Sequence, residues 1–161
     1  YLRGSNSFAS TISAGAGHDY IIGQGHGDVI YAGTGNDFVS ASGGDDLVYG
    51  DTGRDNIFGG NGNDELHSGD GDDWINGGNG DDLIYGDDGL DILTGGAGND
   101  TMYGGAGNDL INSNDGNDVL YGGSGDDTMR GYQGDDELHG GDGNDLMFGG
   151  QSINDLSLIH I

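Results

Sequence analysis

The sequence predicts an all-β fold, a flattened solenoid (β-roll) of two parallel sheets with two nine-residue units in each coil. A nine-residue period runs from Ala14 to Phe148 without an insertion or deletion, which gives fifteen units. Such a fixed short period is typical of solenoid architectures. The residue that closes each unit changes in character with a period of eighteen residues. This alternation indicates that successive units belong to two different sheets.

The unit is clearest at residues 95–103, which read Gly-Gly-Ala-Gly-Asn-Asp-Thr-Met-Tyr. Glycine at the first, second and fourth places predicts backbone with positive φ or a close approach to another group. Asn or Asp at the fifth place tolerates the left-handed region and bonds locally in turns. We therefore expect a turn over the first six places. The last three places predict a very short strand with one inward side chain at the eighth place.

The ninth place carries a ring in every even-numbered unit and follows no such rule in the odd-numbered ones. In parallel strands these rings would lie ~4.8 Å apart on the outer face of one sheet. We interpret them as a stacked ladder that stiffens the sheet, with binding of a sugar or a partner as the alternative. The rings are Tyr31, Tyr49, His67, Tyr85, Tyr103, Tyr121 and His139. The two histidines are predicted to be exposed continuations of this ladder, with pH sensing as the alternative.

The composition is strongly acidic, with 29 Asp and Glu, 3 Lys and Arg and a net charge of -26. This charge excludes nucleic acid as a direct partner and disfavours an anionic membrane surface. No run of residues is long and apolar enough to span a membrane. The absence of Cys leaves the redox compartment open. The chain begins with Tyr1 and shows no secretory signal, so we expect it to be a piece of a longer protein.

The sixth place is Asp in all fifteen units, which suggests carboxylate ligands for a cation. Oxygen ligands without a His or Cys column favour Ca²⁺ or Mg²⁺ over zinc. A flexible cage rich in backbone carbonyls favours Ca²⁺, which accepts six to eight oxygens in irregular geometry. The candidate metal ligands are Asp19, Asp28, Asp37, Asp46, Asp55, Asp64, Asp73, Asp82, Asp91, Asp100, Asp109, Asp118, Asp127, Asp136 and Asp145.

Across residues 14–148 the repeated Gly-Gly-x-Gly-x-Asp turn resembles the RTX (repeats-in-toxin) hemolysin-type calcium-binding nonapeptide repeats. The resemblance implies a parallel β-roll in which Ca²⁺ lies between turns stacked one coil apart. The sixth-place Asp would supply carboxylates from both turns, and backbone carbonyls most other ligands. Matching each turn with the one two units further on gives up to about thirteen sites for the fifteen units, and thirteen dications would balance the net charge of -26.

The flanking segments keep only part of the repeat. Residues 1–13 are predicted to be a degenerate N-terminal cap or linker, with Ser10 where Asp belongs. Residues 149–161 are predicted to be a degenerate C-terminal cap and truncated tail, with Asn154 at the sixth place. Within the array, His26 replaces the fourth-place Gly of the second unit, and we expect a weakened or reshaped site there.

The predicted function is calcium binding by a non-enzymatic segment that folds when it meets millimolar Ca²⁺ outside the cell. No Ser/His/Asp set in the sequence implies nucleophilic catalysis, and no catalytic residue is predicted. The resemblance implies export by type I secretion machinery and an extracellular or cell-surface location. An attached effector domain would lie outside this chain. The alternatives are the C-terminal part of a secreted enzyme, such as a protease, lipase or alginate epimerase, and part of an adhesin or surface-layer protein.

Overall fold

The fold is a β-solenoid of about eight turns built from two parallel sheets. It is seen in a computed structural model that describes residues 1–4, 7–150 and 158–160, and these residues contain no helix. The predicted fold class is confirmed. Accordingly, none of the described residues lies in a helix that is long and apolar enough to cross a membrane.

In the described residues each sheet has nine strands, and neighbouring strands of a sheet are two positions apart along the chain. We call them the odd sheet and the even sheet, because they contain the odd-numbered and even-numbered strands. The odd sheet comprises β1 Leu2–Arg3, β3 Tyr20–Gln24, β5 Phe38–Gly43, β7 Asn56–Asn61, β9 Trp74–Asn79, β11 Ile92–Ala97, β13 Leu110–Asp115, β15 Thr128–Gln133 and β17 Leu146–Gly150. The even sheet comprises β2 Thr11–Ala16, β4 Val29–Thr34, β6 Leu47–Thr52, β8 Glu65–His67, β10 Leu83–Tyr85, β12 Thr101–Ala106, β14 Val119–Ser124, β16 Glu137–Asp142 and β18 Leu158–His160.

The register between neighbouring strands is one coil of eighteen residues throughout the array. Met102 pairs with Ile84 on one side and with Leu120 on the other. Consecutive units therefore lie in opposite sheets, as the alternating ninth place predicts. The N-terminal segment adds β1 to one sheet and β2 to the other, and Ile12 of β2 is buried in the core. The predicted C-terminal cap lies largely outside the described residues.

Most strands are longer than the three residues that the sequence suggests. Strand β12, Thr101–Ala106, has six residues and continues through the first three places of the next unit. Only β8 and β10 within the array keep the predicted three. The extra length arises because the glycine-rich places also pair between coils, as Gly105 does with Gly123. The glycines thus build strand as well as turn.

The core contains two inward columns where the sequence predicts one. The eighth places from Ile21 to Leu138 are fully buried, as predicted. The first place of the following unit also points inward, because it lies two residues further along the same strand. Ala32, Ala41 and Ser68 occupy this second column and are fully buried. A thin interior shared with the large eighth-place side chains explains why the first place is always Gly, Ala or Ser.

The ring ladder of the even sheet is present from Tyr31 to His139. Neighbouring ring centroids lie 4.5–5.3 Å apart and the ring planes differ by 5–18°. The two histidine side chains are only 23% and 29% exposed, so they are less exposed than predicted. Each also contacts a glutamate two residues earlier, with 3.0 Å from His67 Nε2 to Glu65 Oε1 and 2.8 Å from His139 Nε2 to Glu137 Oε1.

Candidate metal centres at the two turn edges

The sixth-place aspartates lie just before the strands, where the turns of successive coils stack along the two edges of the solenoid. Thirteen of the fifteen, from Asp28 to Asp136, are at most 2% exposed. Asp19 and Asp145, at the ends of the series, are half-buried. Burying a carboxylate is unfavourable unless it is paired or coordinates a metal. The repeated burial therefore requires a compensating partner in nearly every turn.

One oxygen of each carboxylate has a partner in the coil before it. Asp100 Oδ1 accepts a hydrogen bond from the backbone N–H of Asp82 at 2.9 Å. The same contact occurs thirteen times along the array, at 2.6–3.1 Å, always between sixth-place residues eighteen positions apart. The structure thus brings the predicted residues together in pairs that match the turn pairing expected from the sequence.

The other carboxylate oxygen is buried without a hydrogen-bond partner. This holds for Oδ2 of twelve aspartates, and such groups are rare in folded proteins because they lose hydration without compensation. A repeated unpartnered anionic oxygen is the feature expected of a protein that holds a cation at each turn. The twelve are Asp28, Asp37, Asp46, Asp55, Asp64, Asp73, Asp82, Asp91, Asp100, Asp109, Asp118 and Asp127.

Backbone carbonyls approach the same place from the next coil. A Cβ atom placed on Gly122 would lie 2.3 Å from Asp127 Oδ2 and 2.5 Å from the carbonyl oxygen of Gly140. Gly59 and Gly77 have the same two kinds of oxygen beside them. The first place is therefore a small cradle in which a carboxylate and a carbonyl from consecutive coils converge. Its φ is not positive, so a small residue is needed there for close approach and not for a left-handed backbone.

The donor set fits calcium. Within the described residues, no group of three or more His, Cys, Asp or Glu side chains could hold a metal ion alone. A cation at a turn must therefore take most of its ligands from backbone carbonyls, which together with carboxylates are the hard oxygens that Ca²⁺ prefers. The resemblance to the repeat family implies backbone carbonyl ligands, but it does not single out the first-place carbonyls among them. Their only signal in the sequence is the restriction of that column to small residues.

Burial also raises the pKa of these carboxyl groups. Removal from water, opposed by the backbone hydrogen bond from the previous coil, raises the pKa of Asp64 and Asp100 to about 7. The pKa of Asp82 rises to about 6 for the same reason. Neighbouring sixth-place carboxylates raise several of the pKa values further, Asp64 and Asp100 among them. A bound dication would act in the opposite direction by favouring the charged form.

The fifth place forms a second ladder that runs in the opposite sense. Asn108 Oδ1 accepts from the backbone N–H of Asp126, and Asp126 Oδ1 accepts from that of Asn144, both at 2.8 Å. His18 takes the same role through Nδ1, 2.7 Å from the backbone nitrogen of Asn36. Asn and Asp tolerate a left-handed backbone, but no described fifth-place residue has a positive φ. Asn and Asp occur here because their oxygen bridges adjacent coils.

In this parallel β-solenoid, a buried carboxylate with one unpartnered oxygen recurs in twelve turns. This arrangement is that of a cation-binding repeat protein. The model of the RTX calcium-binding nonapeptide repeat (4 copies) matches residues 5–39, 22–57, 40–75, 58–93, 67–102, 85–120 and 121–156. The chain belongs to this calcium-binding repeat family. A comparison with curated proteins found no significant match.

Proposed function

We propose that this chain is a secreted β-roll that folds on binding Ca²⁺ between its stacked turns. Its role would be that of a folding and export module in a larger extracellular protein. The unpartnered Oδ2 atom that recurs in twelve turns carries this proposal, because a cation would compensate so many buried carboxylates in their ionised form. The repeat family is a structural calcium-binding module, which supports a non-enzymatic role.

The fifteen sixth-place aspartates are the proposed side-chain ligands, with up to about thirteen ions bound between paired turns. The thirteen observed hydrogen bonds between sixth-place residues support this number. With dissociation constants of ~0.1–1 mM, typical of extracellular modules, a few millimolar Ca²⁺ would contribute ~1–2 kcal/mol per site. The sum over many weak sites would make folding steeply dependent on calcium.

The charge explains where folding would occur. Without cations, 29 acidic side chains against 3 basic ones repel one another, and 39 glycines add to the entropy lost on folding. In a low-calcium cytoplasm the chain would stay expanded and fit for export by type I secretion machinery. Outside the cell, calcium would drive it into the roll. Proteins that contain the repeat are typically secreted, which supports an extracellular or cell-surface location.

The test compares two neighbouring aspartates of one turn. Asp82→Asn removes the charge of a buried candidate ligand but keeps the Oδ1 acceptor. Asp81→Asn makes the same chemical change at the exposed fifth place, where Asn is natural in Asn63 and Asn99. We expect isothermal titration calorimetry to show one or two fewer calcium ions bound by Asp82→Asn and an unchanged number bound by Asp81→Asn. Circular dichroism of the parent chain should show β-structure in 5 mM calcium and its loss in EDTA.

Equal stoichiometry in the two variants would contradict the assignment of the sixth-place ligands. Full β-structure in EDTA at pH 8 would contradict calcium-driven folding, whatever the stoichiometry. The two measurements therefore separate the site from the folding mechanism.

A further inference from the structure

At the places that flank the buried eighth place, the outer face of the odd sheet carries no acidic side chain, although the chain has 29 of them; the exposed Asp115 lies at the end of β13, next to the turn. Its outward positions are the seventh and ninth places of the odd-numbered units, which flank the buried eighth place. They are Tyr20, Ile22, Phe38, Ser40, Asn56, Phe58, Trp74, Asn76, Ile92, Thr94, Leu110, Asn112, Thr128, Arg130, Leu146 and Phe148. The even sheet, in contrast, presents Glu65 and Glu137. The odd face is thus a neutral to weakly basic apolar strip between two acidic edges.

A row of rings on this strip ends at Trp74. Tyr20 and Phe38 stack with centroids 4.7 Å apart and planes 5° apart. Phe58 is then tilted by 39° from Phe38, and Trp74 meets Phe58 edge to face at 5.3 Å and 76°. The next residue in the column is Ile92, so no ring follows Trp74. The Trp74 side chain is 44% exposed, whereas rings inside the even ladder are stacked on both sides.

A groove of about 280 Å³ lies against Trp74, and polar groups stand at its rim. Arg54 Nη2 is 2.8 Å from Asp72 Oδ2, and both side chains remain exposed to solvent (66% and 47%). The amide of Asn56 also lines the groove. Asp55 and Asp73 of the adjoining turns complete its lining together with Leu90 and Ile92. A second groove of about 550 Å³ shares Leu90 and Ile92 and continues along the stack to Arg130.

From these features we infer that the odd face binds a neutral oligosaccharide chain, with Trp74 as its stacking platform. A pyranose ring offers an apolar face to an indole, and its hydroxyls match guanidinium, carboxylate and amide groups at the rim. The extended groove suits a linear chain that lies along several coils. The exposed carboxylates of Asp72 and Asp126, which line the two grooves and are not proposed calcium ligands, would repel an acidic glycan. The inference goes beyond the proposed calcium function, although Asp55 and Asp73, which are proposed calcium ligands, also line the groove.

A second copy of the chain fits the strip less well. Face-to-face contact would bring the exposed carboxylates of two sets of turns together, such as Asp72 and Asp126 of each copy. The even ladder is no alternative sugar platform, because its rings cover one another.

The single tryptophan makes the test direct, because all tryptophan emission comes from Trp74. The calcium-loaded chain is titrated with cellohexaose and with chitohexaose. We expect a saturable change in emission with at least one of them and matching heat in calorimetry. Trp74→Ala should weaken the calorimetric affinity at least about tenfold, as expected when a central aromatic contact is removed. Arg54→Ala should weaken it several-fold.

Tyr103→Ala is the matched control, because it removes an outward ring from the other sheet and should leave glycan affinity unchanged. Circular dichroism and calcium stoichiometry confirm that each variant folds; if Trp74→Ala does not fold, Arg54→Ala and Asn56→Ala carry the test. The proposal is overturned if neither hexasaccharide is bound at millimolar concentration, or if the folded odd-face variants bind like the parent. Equal affinity for an anionic mannuronate hexamer would also overturn it. A doubled molecular mass of the parent chain in light scattering, lost in Trp74→Ala, would also overturn the proposal. It would show that the odd face binds a second copy of the chain.

Discussion

At the scale of single residues, the two glycine columns with positive φ differ in how strictly they need glycine. At the fourth place φ runs from 109° to 159°, which side-chain-bearing residues rarely adopt, and the column is Gly in fourteen of fifteen units. At the second place, non-glycine residues reach φ of 66–89°, within or near the left-handed helical region. Asp51, Asp87 and Asn114 belong to the types that tolerate this region, whereas Tyr132 is strained there.

The exception in the fourth column is His26. Its φ is not positive, so the turn of the second unit follows a different backbone path. Asp28 in the same unit nevertheless remains buried with an unpartnered Oδ2. The reshaping expected from the sequence thus affects the turn backbone and spares the carboxylate.

Gly98→Ala should destabilise the calcium-loaded fold by roughly 2 kcal/mol or more, because it combines backbone strain with a steric clash. Gly98 has a φ of +133°, and an added Cβ would lie 2.1 Å from the carbonyl oxygen of Gly80. Gly25→Ala is the control, since no atom lies within 4 Å of its added Cβ and its φ is not positive. Urea unfolding in saturating calcium measures both variants. Similar midpoints for the two would refute the strain argument.

At the scale of strands and sheets, the repeat period and the alternating ring column were sufficient to predict the coil, the two sheets and the ladder. They did not predict the length of the strands or the second inward column. The reason is physical: a glycine has no side chain to show which way its place points, so a strand made partly of glycine looks like a turn. The fifth-place ladder was missed because Asn and Asp suit both a local turn and a bridge between coils.

The candidate metal centres were also only partly predictable from the sequence. The invariant Asp column identified the carboxylates, because only a side chain with a required chemistry is kept in fifteen of fifteen units. The carbonyl oxygens and the direction of each hydrogen bond come from the backbone and leave no residue type behind. The odd face was missed because its apolar residues alternate between the seventh and ninth places, as Trp74 and Phe58 do, so no single column reveals them.

The ladder predicts a measurable stabilisation. Tyr103 stacks between Tyr85 and Tyr121, with centroids 4.9 Å and 4.8 Å away and planes 6° and 5° apart. Tyr103→Ala should lower the free energy of unfolding by ~1–3 kcal/mol, since each aromatic pair contributes ~0.5–1.5 kcal/mol beyond area burial. Thr94→Ala, at a ninth place of the odd sheet without a ring, is the control and should change stability by less than ~0.5 kcal/mol. The measurement is calcium-saturated urea unfolding, and equal losses would show that stacking adds nothing.

At the scale of the whole molecule, protons would compete with the proposed calcium ions for the same buried carboxylates. The pKa values of Asp55, Asp64, Asp91 and Asp100 rise to about 7 in the fold from the usual 3.8. Between these two values the metal-free folded chain keeps protons that the unfolded chain has released. The free energy of unfolding then falls as the pH rises. The stabilisation by protons is complete below about pH 4 and is lost as the pH passes through about 7.

We therefore expect the metal-free chain to respond to acid in the opposite way from the calcium-bound chain. In EDTA, acidification from pH 8 to pH 5 should increase β-structure and the urea midpoint, because neutral carboxyl groups no longer cost the burial of a charge. In millimolar calcium the same acidification should weaken binding, because protons displace the cation from the ligands. Circular dichroism and urea titrations at both pH values measure these opposite responses to acid. At pH 5 the chain is still above its isoelectric point of about 4.1. Equal stability of the metal-free chain at pH 5 and pH 8 would mean that protonation of the Asp carboxyl groups is not coupled to folding. Something other than the burial of charge would then keep the chain unfolded without calcium.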